Sequence, residues 1–205
     1  YHSVMIKTYL DKAYTARDAE GTRALYDNWS ASYEDEIGKN GYATPARCAE
    51  ALASFAPDKT LPLLDFGCGT GLAGLALKLA GFEVIDGVDL SSQMLEQARA
   101  KDLYRTLTQI EPDAELNGEY TLISAVGVIG AGAAPISTLD TLLHALPSDG
   151  LLVFSFNDHA LEQPENIGRL NEWLDCGAAR LLFSEYGDHL PEIDMGSNVY
   201  VVQKA

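Results

Sequence analysis

Cysteine and long apolar runs are scarce in this 205-residue chain, and each scarcity excludes certain classes of protein. The three cysteines are far apart, so the sequence supports neither a disulfide framework nor a cysteine-based metal cluster. We therefore expect no metal cofactor and a reducing, cytoplasmic compartment. No apolar run reaches the roughly 18–20 residues that cross a bilayer, and no secretory leader pattern opens the sequence.

Basic residues are scarce as well. The chain has 14 Lys and Arg against 30 Asp and Glu, which gives a formal charge of −16. Nucleic acids and anionic membranes are bound mainly through cationic side chains, and the few here are scattered. We therefore predict no nucleic-acid and no membrane partner, although strong acidity also serves solubility alone. The sequence carries no signal for an oligomeric state.

Residues 1–60 differ in pattern from the rest and form the first predicted domain, a helical cap or lid. Tyr26, Trp29 and Tyr33 recur at i, i+3 and i+7, which predicts one helix with an aromatic face. Thr44 and the proline after it are typical of a helix N-cap with proline in the first turn, and they predict a second helix.

Residues 61–205 form the second predicted domain, in which apolar strands alternate with helices. Nearly continuous apolar strands suit a parallel sheet covered on both faces, and repeated strand–helix units predict a doubly wound α/β fold. In the tail, two strand-like runs without a helix between them predict an antiparallel C-terminal strand at one sheet edge. The predicted strands are 61–66, 83–88, 105–109, 120–126, 151–157, 180–186 and 198–203, and the helices between the first five are 72–80, 92–100 and 136–145.

A glycine-rich turn follows the first predicted strand. The apolar run ends at Asp65, glycines stand at positions 67, 69 and 71, and a helical pattern begins at Leu72. Glycines let the backbone turn sharply and approach a ligand, and a helix N-terminus offers free amides. In open α/β sheets ligands bind at the carboxyl ends of the strands, so this turn predicts a nucleotide-type cofactor site.

Two cofactors fit the glycines. The run from Gly69 to Gly74 matches the dinucleotide pattern G-x-G-x-x-G, and Asp89 follows about 20 residues later, where a ribose-binding acid is expected. Asp65 favours the other cofactor, since a carboxylate beside the loop would repel a pyrophosphate and attract an ammonium. S-adenosylmethionine carries an ammonium and a sulfonium and no phosphate. An NAD-dependent oxidoreductase stays open as the less favoured alternative.

A second motif follows the second predicted strand. Asp89 ends that strand, where its carboxylate can accept bonds from both ribose hydroxyls. Ser91 or Ser92 is expected to cap the next helix. Leu90 and Met94 can pack on the adenine faces, or they can be ordinary core residues.

Together the two motifs resemble those of the class I S-adenosylmethionine-dependent methyltransferases. The matching runs are Asp65-Phe66-Gly67-Cys68-Gly69-Thr70-Gly71 and Asp89-Leu90-Ser91-x-x-Met94-Leu95. Further segments resemble small methyltransferases of the Williams–Beuren-region type: Tyr26-Asp27-x-Trp29-x-x-x-Tyr33-Glu34, Gly41-Tyr42-x-x-Pro45, Leu103-Tyr104-x-x-Leu107-x-Gln109 and Ala125-Val126-Gly127-Val128. The resemblance implies a Rossmann-like methyltransferase fold, with a mostly parallel seven-stranded sheet, and S-adenosylmethionine as the methyl donor.

The resemblance also implies roles for matching positions. Asp65 and the loop would hold the methionyl part, Asp89 the ribose, and Glu111 the adenine amino group, although Glu111 can equally be a solvated turn residue. Trp29 and Tyr33 would close over the cofactor, or simply pack the cap on the domain. The implied cofactor-binding residues are Trp29, Tyr33, Asp65, Gly67, Cys68, Gly69, Thr70, Gly71, Asp89, Leu90, Met94, Glu111 and Val126.

The acceptor side gives fewer signals. The loop after the fourth predicted strand is small and apolar, without the Pro-Pro-aromatic run of amino-methylating nucleic-acid enzymes and without the histidine that many relatives carry there. His159, after the fifth strand, is the candidate base, and its alternative is a loop residue bonded to backbone. We expect in-line methyl transfer to a small-molecule acceptor, with S-adenosylhomocysteine as the product, or, as the alternative, cofactor binding without transfer.

Overall fold

The structure, a computed structural model, describes residues 19–29, 32–116, 119–130 and 133–205, so the part of the predicted cap in residues 1–18 lies outside the described residues. The helices are α1 (Ala19–Trp29), α2 (Tyr33–Lys39), α3 (Thr44–Phe55), α4 (Leu72–Leu79), α5 (Ser92–Ala100), α6 (Ser137–Ala145), α7 (Asp158–Leu161) and α8 (Pro164–Asp175). The strands are β1 (Leu63–Phe66), β2 (Ile85–Asp89), β3 (Thr106–Gln109), β4 (Leu122–Ala125), β5 (Leu151–Asn157), β6 (Ala179–Leu190) and β7 (Met195–Lys204).

All seven strands form one sheet in the order β3-β2-β1-β4-β5-β7-β6. The first five pair in parallel, while β7 lies antiparallel between β5 and β6. Apolar side chains cover both faces: one core cluster joins the sheet to α6 and α8, and the other joins it to α3 and α4. The predicted doubly wound α/β fold with an antiparallel C-terminal strand is therefore confirmed. In the described parts of the chain, no helix has the length and apolar character that a bilayer crossing requires.

The cap differs from its prediction in two respects. The aromatic face belongs to two helices, because α1 ends at Trp29 and α2 begins at Tyr33, yet the rings of these two residues still lie 4.8 Å apart. Helix α3 begins at Thr44 itself, whose hydroxyl bonds to Nδ1 of His189 at 2.6 Å and to Oγ of Ser197 at 2.8 Å, so it does not cap the helix. Helix α3 also shares a core cluster with the sheet, and the domain boundary at residue 60 stays a prediction.

The turn between β1 and α4 has the backbone that its glycines predict. Gly67 and Gly69 have φ angles of +68° and +53°, in the left-handed region that favours glycine. A Cβ on Gly67 would lie 2.5 Å from Cγ2 of Val128, whereas a Cβ on Gly69 would meet nothing within 4 Å. The loop after β1 thus packs directly on the loop after β4, and only glycine allows that approach at position 67.

Alanine at each of these glycines separates backbone strain from the clash with Val128. Gly67→Ala and Gly69→Ala both place a side chain at positive φ, but only the first overpacks Val128. We expect Gly67→Ala to lower the free energy of unfolding by about 1–3 kcal/mol more than Gly69→Ala, measured by urea denaturation of the unliganded protein. Equal losses would show that the two loops do not constrain each other.

His189 is a buried neutral histidine beneath the cap. It is 6% exposed, and its ring lies edge-on to that of Tyr42 at 5.3 Å between centroids. Burial lowers the pKa of His189 to about 4; Asp158 raises this pKa, and Arg47 and His159 lower it further. Because the unfolded state takes up this proton near the usual pKa of 6.5, stability is lost as the pH falls from about 6.5 towards 4.

Replacing His189 by asparagine should remove that pH dependence. Asparagine keeps a polar group beside Thr44 but does not titrate. Between pH 7 and pH 5 we expect the wild type to lose about 2 kcal/mol more unfolding free energy than His189→Asn, measured by urea denaturation at both pH values. Parallel losses in the two proteins would mean that His189 is not held neutral.

Candidate active site

A cavity of about 490 Å³ opens at the carboxyl ends of the central strands, a size typical of small-ligand sites. The strand order reverses between β1 and β4, and this switch point is where open α/β sheets bind ligands. The cavity has two halves, one built by the loops after β1, β2 and β3 and one by the loops after β4 and β5, with α1 and α2 contributing Arg23, Tyr26 and Tyr33.

The first half brings together most of the predicted cofactor motif. Gly67, Gly69, Asp89, Leu90 and Met94 all line the cavity. Oδ2 of Asp89 accepts a bond from the amide of Gly69 at 2.9 Å, and Oδ1 accepts one from the amide of Ser91 at 2.9 Å. Ser91 also caps α5 by accepting from the amide of Met94 at 3.2 Å, as predicted. One carboxylate therefore joins the two sequence motifs.

Burial raises the pKa of Asp89, and the nearby Asp27 raises it as well, whereas the backbone amides that donate to its carboxylate lower it. A carboxylate has about four acceptor sites, so acceptor sites remain beside these amide bonds. Hydroxyl donors at those sites would favour its charged form. This is the environment that a ribose diol would complete.

Asp65 lies behind the loop and does not line the cavity. It is 1% exposed, and its oxygens accept from the hydroxyl of Tyr104 at 2.7 Å and from that of Ser124 at 3.0 Å. Burial raises the pKa of Asp65 to about 7, although both hydroxyl bonds lower it. Direct contact between Asp65 and an ammonium stays a prediction.

Three other predicted loop positions, Cys68, Thr70 and Gly71, are absent from the cavity wall. Cys68 is buried, and burial raises the pKa of its thiol well above the usual range. Thr70 donates its hydroxyl to Oε1 of Glu34 at 3.1 Å. Gly71 stands at the start of α4, against the side chains of Lys101 and Tyr104. All three are placed to shape the loop.

The two predicted aromatic cap residues have different positions. Tyr33 lines the cavity together with Tyr26, and burial raises the pKa of Tyr33 well above its usual value. Trp29 is 1% exposed, and its Nε1 donates to Oε2 of Glu36 at 2.8 Å, so it packs the cap instead of lining the cavity. Within the aromatic face, Tyr26 and Tyr33 thus line the cavity, whereas Trp29 is buried inside the protein.

Polar contacts fasten the cap to three different loops, and sequence reasoning missed all of them. Arg23 Nη2 donates to the carbonyl of Ile110 and to Oε2 of Glu111, both at 3.2 Å. Asp27 accepts from the hydroxyl of Ser91. Lys101 pairs with Glu34 and donates to the carbonyl of Thr70 at 2.7 Å.

Glu111 therefore pairs with the cap, and it is its neighbours Ile110, Pro112 and Asp113 that line the cavity. The available sequence signal was the charge of Arg23, one of seven Lys and Arg residues in the cap segment.

The second half of the cavity has a small, apolar side after β4 and a polar side after β5. Val126, whose cofactor-binding role stays a prediction, lines this half with Val128, Gly130 and the segment 133–136. Gln163, Glu165 and Asn166 form its wall after β5. Among the described residues that line the cavity there is no His, Cys or Lys.

His159 is not part of that wall. It lies in the short helix α7 beside Asp158, whose carboxylate accepts from the hydroxyl of Tyr186 at 2.8 Å and from the amide of Gly196 at 2.9 Å. A role for His159 as a base stays a prediction.

Comparison with known proteins gives a family. The model of the methyltransferase-domain family matches residues 41–191. The chain is 32% identical to human methyltransferase-like protein 27 over 134 residues, which are 62% of this chain and 54% of that protein. It is 31% identical over 92 residues to the ribosomal protein L11 methyltransferase of Burkholderia lata, covering 43% of this chain and 30% of that protein. The chain thus spans about half the length of the human relative, or less for the bacterial one.

Solved structures agree on the fold. The [4+2]-cyclase SpnF superposes with a TM-score of 0.69 at 15% identity, covering 93% of this chain and 98% of that one. The magnesium protoporphyrin IX methyltransferase of Synechocystis with bound S-adenosylmethionine gives 0.60 at 16% identity, covering 96% and 90%. With the family match over residues 41–191 and the two joined motifs, the chain belongs to the class I S-adenosylmethionine-dependent methyltransferases.

Proposed function

We propose that this protein transfers the methyl group of S-adenosylmethionine to a small-molecule acceptor. The observation that carries the cofactor assignment is the Asp89 carboxylate, which is held in the cavity by amides of both motifs and keeps acceptor capacity for a ribose diol. The fit extends to the loop, where Gly67 and Gly69 line the cavity with backbone that carries no side chain of its own. Leu90 and Met94 supply apolar surface for the adenine.

When bound, S-adenosylmethionine supplies a methyl carbon on a sulfonium, which is already activated for in-line displacement. The protein then has to bind the two reactants, orient them and exclude water. Orienting the reactants can lower the activation barrier by roughly 7–11 kcal/mol. The cap residues Tyr26 and Tyr33 cover the ligand space, and the three polar contacts of the cap hold them there.

Three features support a small acceptor. The loop after β4 lines the cavity with small apolar residues, the cap residues Tyr26 and Tyr33 line it as well, and the chain carries a charge of −16, which disfavours nucleic acid. A protein acceptor, as in the name of the L11 methyltransferase relative, would need a reactive side chain to enter beneath the cap. The cytoplasmic location belongs to the same proposal, and it is supported by three free cysteines, of which Cys48 and Cys68 are buried.

The cavity wall also favours acceptors that need no base from the enzyme. Its ionisable groups among the described residues are Arg23, two tyrosines with raised pKa values and three carboxylates, Asp89, Asp113 and Glu165. A base is required only when the nucleophile must lose a proton before it reacts. An uncharged amine attacks through its lone pair without first losing a proton, whereas a phenol must be deprotonated, so we expect amines to be methylated faster than phenols.

Cofactor binding without methyl transfer is the competing function. The likeness to a protein named as a cyclase and the lack of a histidine on the described cavity wall both favour it. A screen of amines, acids, phenols and thiols with labelled S-adenosylmethionine separates the two, because any label transferred to an acceptor rejects the binding-only function.

Calorimetry with S-adenosylhomocysteine tests the cofactor site. We expect binding at micromolar levels, and Asp89→Ala should weaken it by roughly 1–3 kcal/mol, because two ribose hydroxyls lose a buried acceptor. Asp113→Ala is the matched control, since this carboxylate also lines the cavity but is exposed after β3, and its affinity should stay near the wild type. Tight NADH binding without S-adenosylhomocysteine binding would instead support an oxidoreductase.

A further inference from the structure

We propose that Tyr104 is a positioning residue for the cofactor, which sets the glycine-rich loop in its binding conformation from beneath. This inference rests on the proposed function, because it concerns the same cavity. Tyr104 itself does not line that cavity, so its effect on a ligand has to pass through the residues that it holds.

The ring of Tyr104 occupies space that three glycines leave open. A Cβ on Gly74 of α4 would lie 2.2 Å from the tyrosine hydroxyl, and one on Gly87 of β2 would lie 3.0 Å from its Cδ1. A Cβ on Gly71, at the end of the loop, would lie 3.4 Å from its Cε2. The tyrosine is therefore wedged between β2 and the start of α4, directly under the loop that joins β1 to α4.

The hydroxyl of Tyr104 fixes the strand end from which that loop departs. It donates at 2.7 Å to Oδ2 of Asp65, and Ser124 of β4 donates to the other oxygen at 3.0 Å. Asp65 is 1% exposed, so a lost partner would leave a buried carboxylate oxygen without its bond. Gly67 follows two residues later and lines the cavity.

The same loop carries the ribose carboxylate. The amide of Gly69 donates to Oδ2 of Asp89 at 2.9 Å, so a shift of the loop moves both the backbone that faces the ligand and one of the bonds that orient Asp89. The path from Tyr104 to the ligand thus runs through Asp65, the glycine loop and Asp89. Each of its steps is a hydrogen bond or a covalent neighbour.

The chain offers a matched control at Asp86 of β2. Tyr120 donates to Oδ2 of Asp86 at 2.7 Å, and Asp86 is 3% exposed and also bonds to Arg105 and Thr106. None of these four residues lines the cavity. Tyr120→Phe therefore removes the same kind of tyrosine–aspartate bond without touching the loop.

Two quantities are measured for the wild type and both tyrosine variants. One is the affinity for S-adenosylhomocysteine, by calorimetry at a temperature where each protein is folded, and the other is the melting temperature. We expect Tyr104→Phe to weaken binding about tenfold, the loss of one hydrogen bond to a charged group, and Tyr120→Phe to change it less than about twofold at a comparable loss of melting temperature. In assays, Tyr104→Phe should raise KM for S-adenosylmethionine and leave kcat nearly unchanged. Should Tyr104→Phe fail to fold, Gly74→Ala displaces the same hydroxyl and should produce the same loss of affinity.

Asp65→Asn separates positioning from direct ammonium binding. Asparagine can still accept from Tyr104 but carries no charge, so positioning predicts affinity close to the wild type, and a charge contact predicts a loss as large as that of Tyr104→Phe. Unchanged affinity in Tyr104→Phe, equal losses in both tyrosine variants, or a loss as large in Asp65→Asn would each overturn the inference while wild-type binding upholds the proposed cofactor. A wild type that does not bind S-adenosylhomocysteine would overturn the cofactor proposal first, and the inference with it.

Discussion

The site depends on one constraint, the attachment of the glycine loop to the end of β2. The amides of Gly67 and Cys68 both donate to the carbonyl of Val88, at 2.9 and 3.0 Å, and the amide of Gly69 donates to Asp89. These bonds turn the chain back across the neighbouring strand, which requires positive φ at two of the three positions. The backbone surface facing the cavity, the direction of the Asp89 carboxylate and the start of α4 all follow from this turn.

Much of the sheet could be predicted because its signals are local. Consecutive residues form the apolar runs of β1, β4 and β5 and the glycine turn. The structure confirms the fold that these runs predict. The placement of Asp65 was also readable in principle, since side chains alternate along a strand and Asp65 shares the face of Leu63, which packs under α3 and α4. The charge of Asp65 predicts a contact with a ligand. The alternation of side chains along β1 instead predicts the core side of the sheet, where Asp65 bonds to Tyr104.

The cap could not be predicted to the same depth because its contacts are between distant residues. The spacing of Tyr26, Trp29 and Tyr33 fits one helix, but the same ring contacts arise when two helices meet across a turn. The partners of Arg23, Asp27 and Glu34 lie after β3, β2 and β1, and no periodicity encodes such pairs. In the sequence alone, charged residues of an acidic helix indicate a solvent-exposed face, because their partners become neighbours only when the sheet forms.

These distant contacts also explain why one fold can serve different acceptors. The donor half of the cavity includes the glycine backbone and the Asp89 carboxylate, which the turn at the end of β2 holds in place. The other half is made of small side chains after β4 and of Gln163 and Asn166 after β5, under a cap that side-chain hydrogen bonds help to hold. Because changes there would alter the shape of the space without disturbing the sheet, we expect the loops and the cap to set specificity for the proposed acceptor.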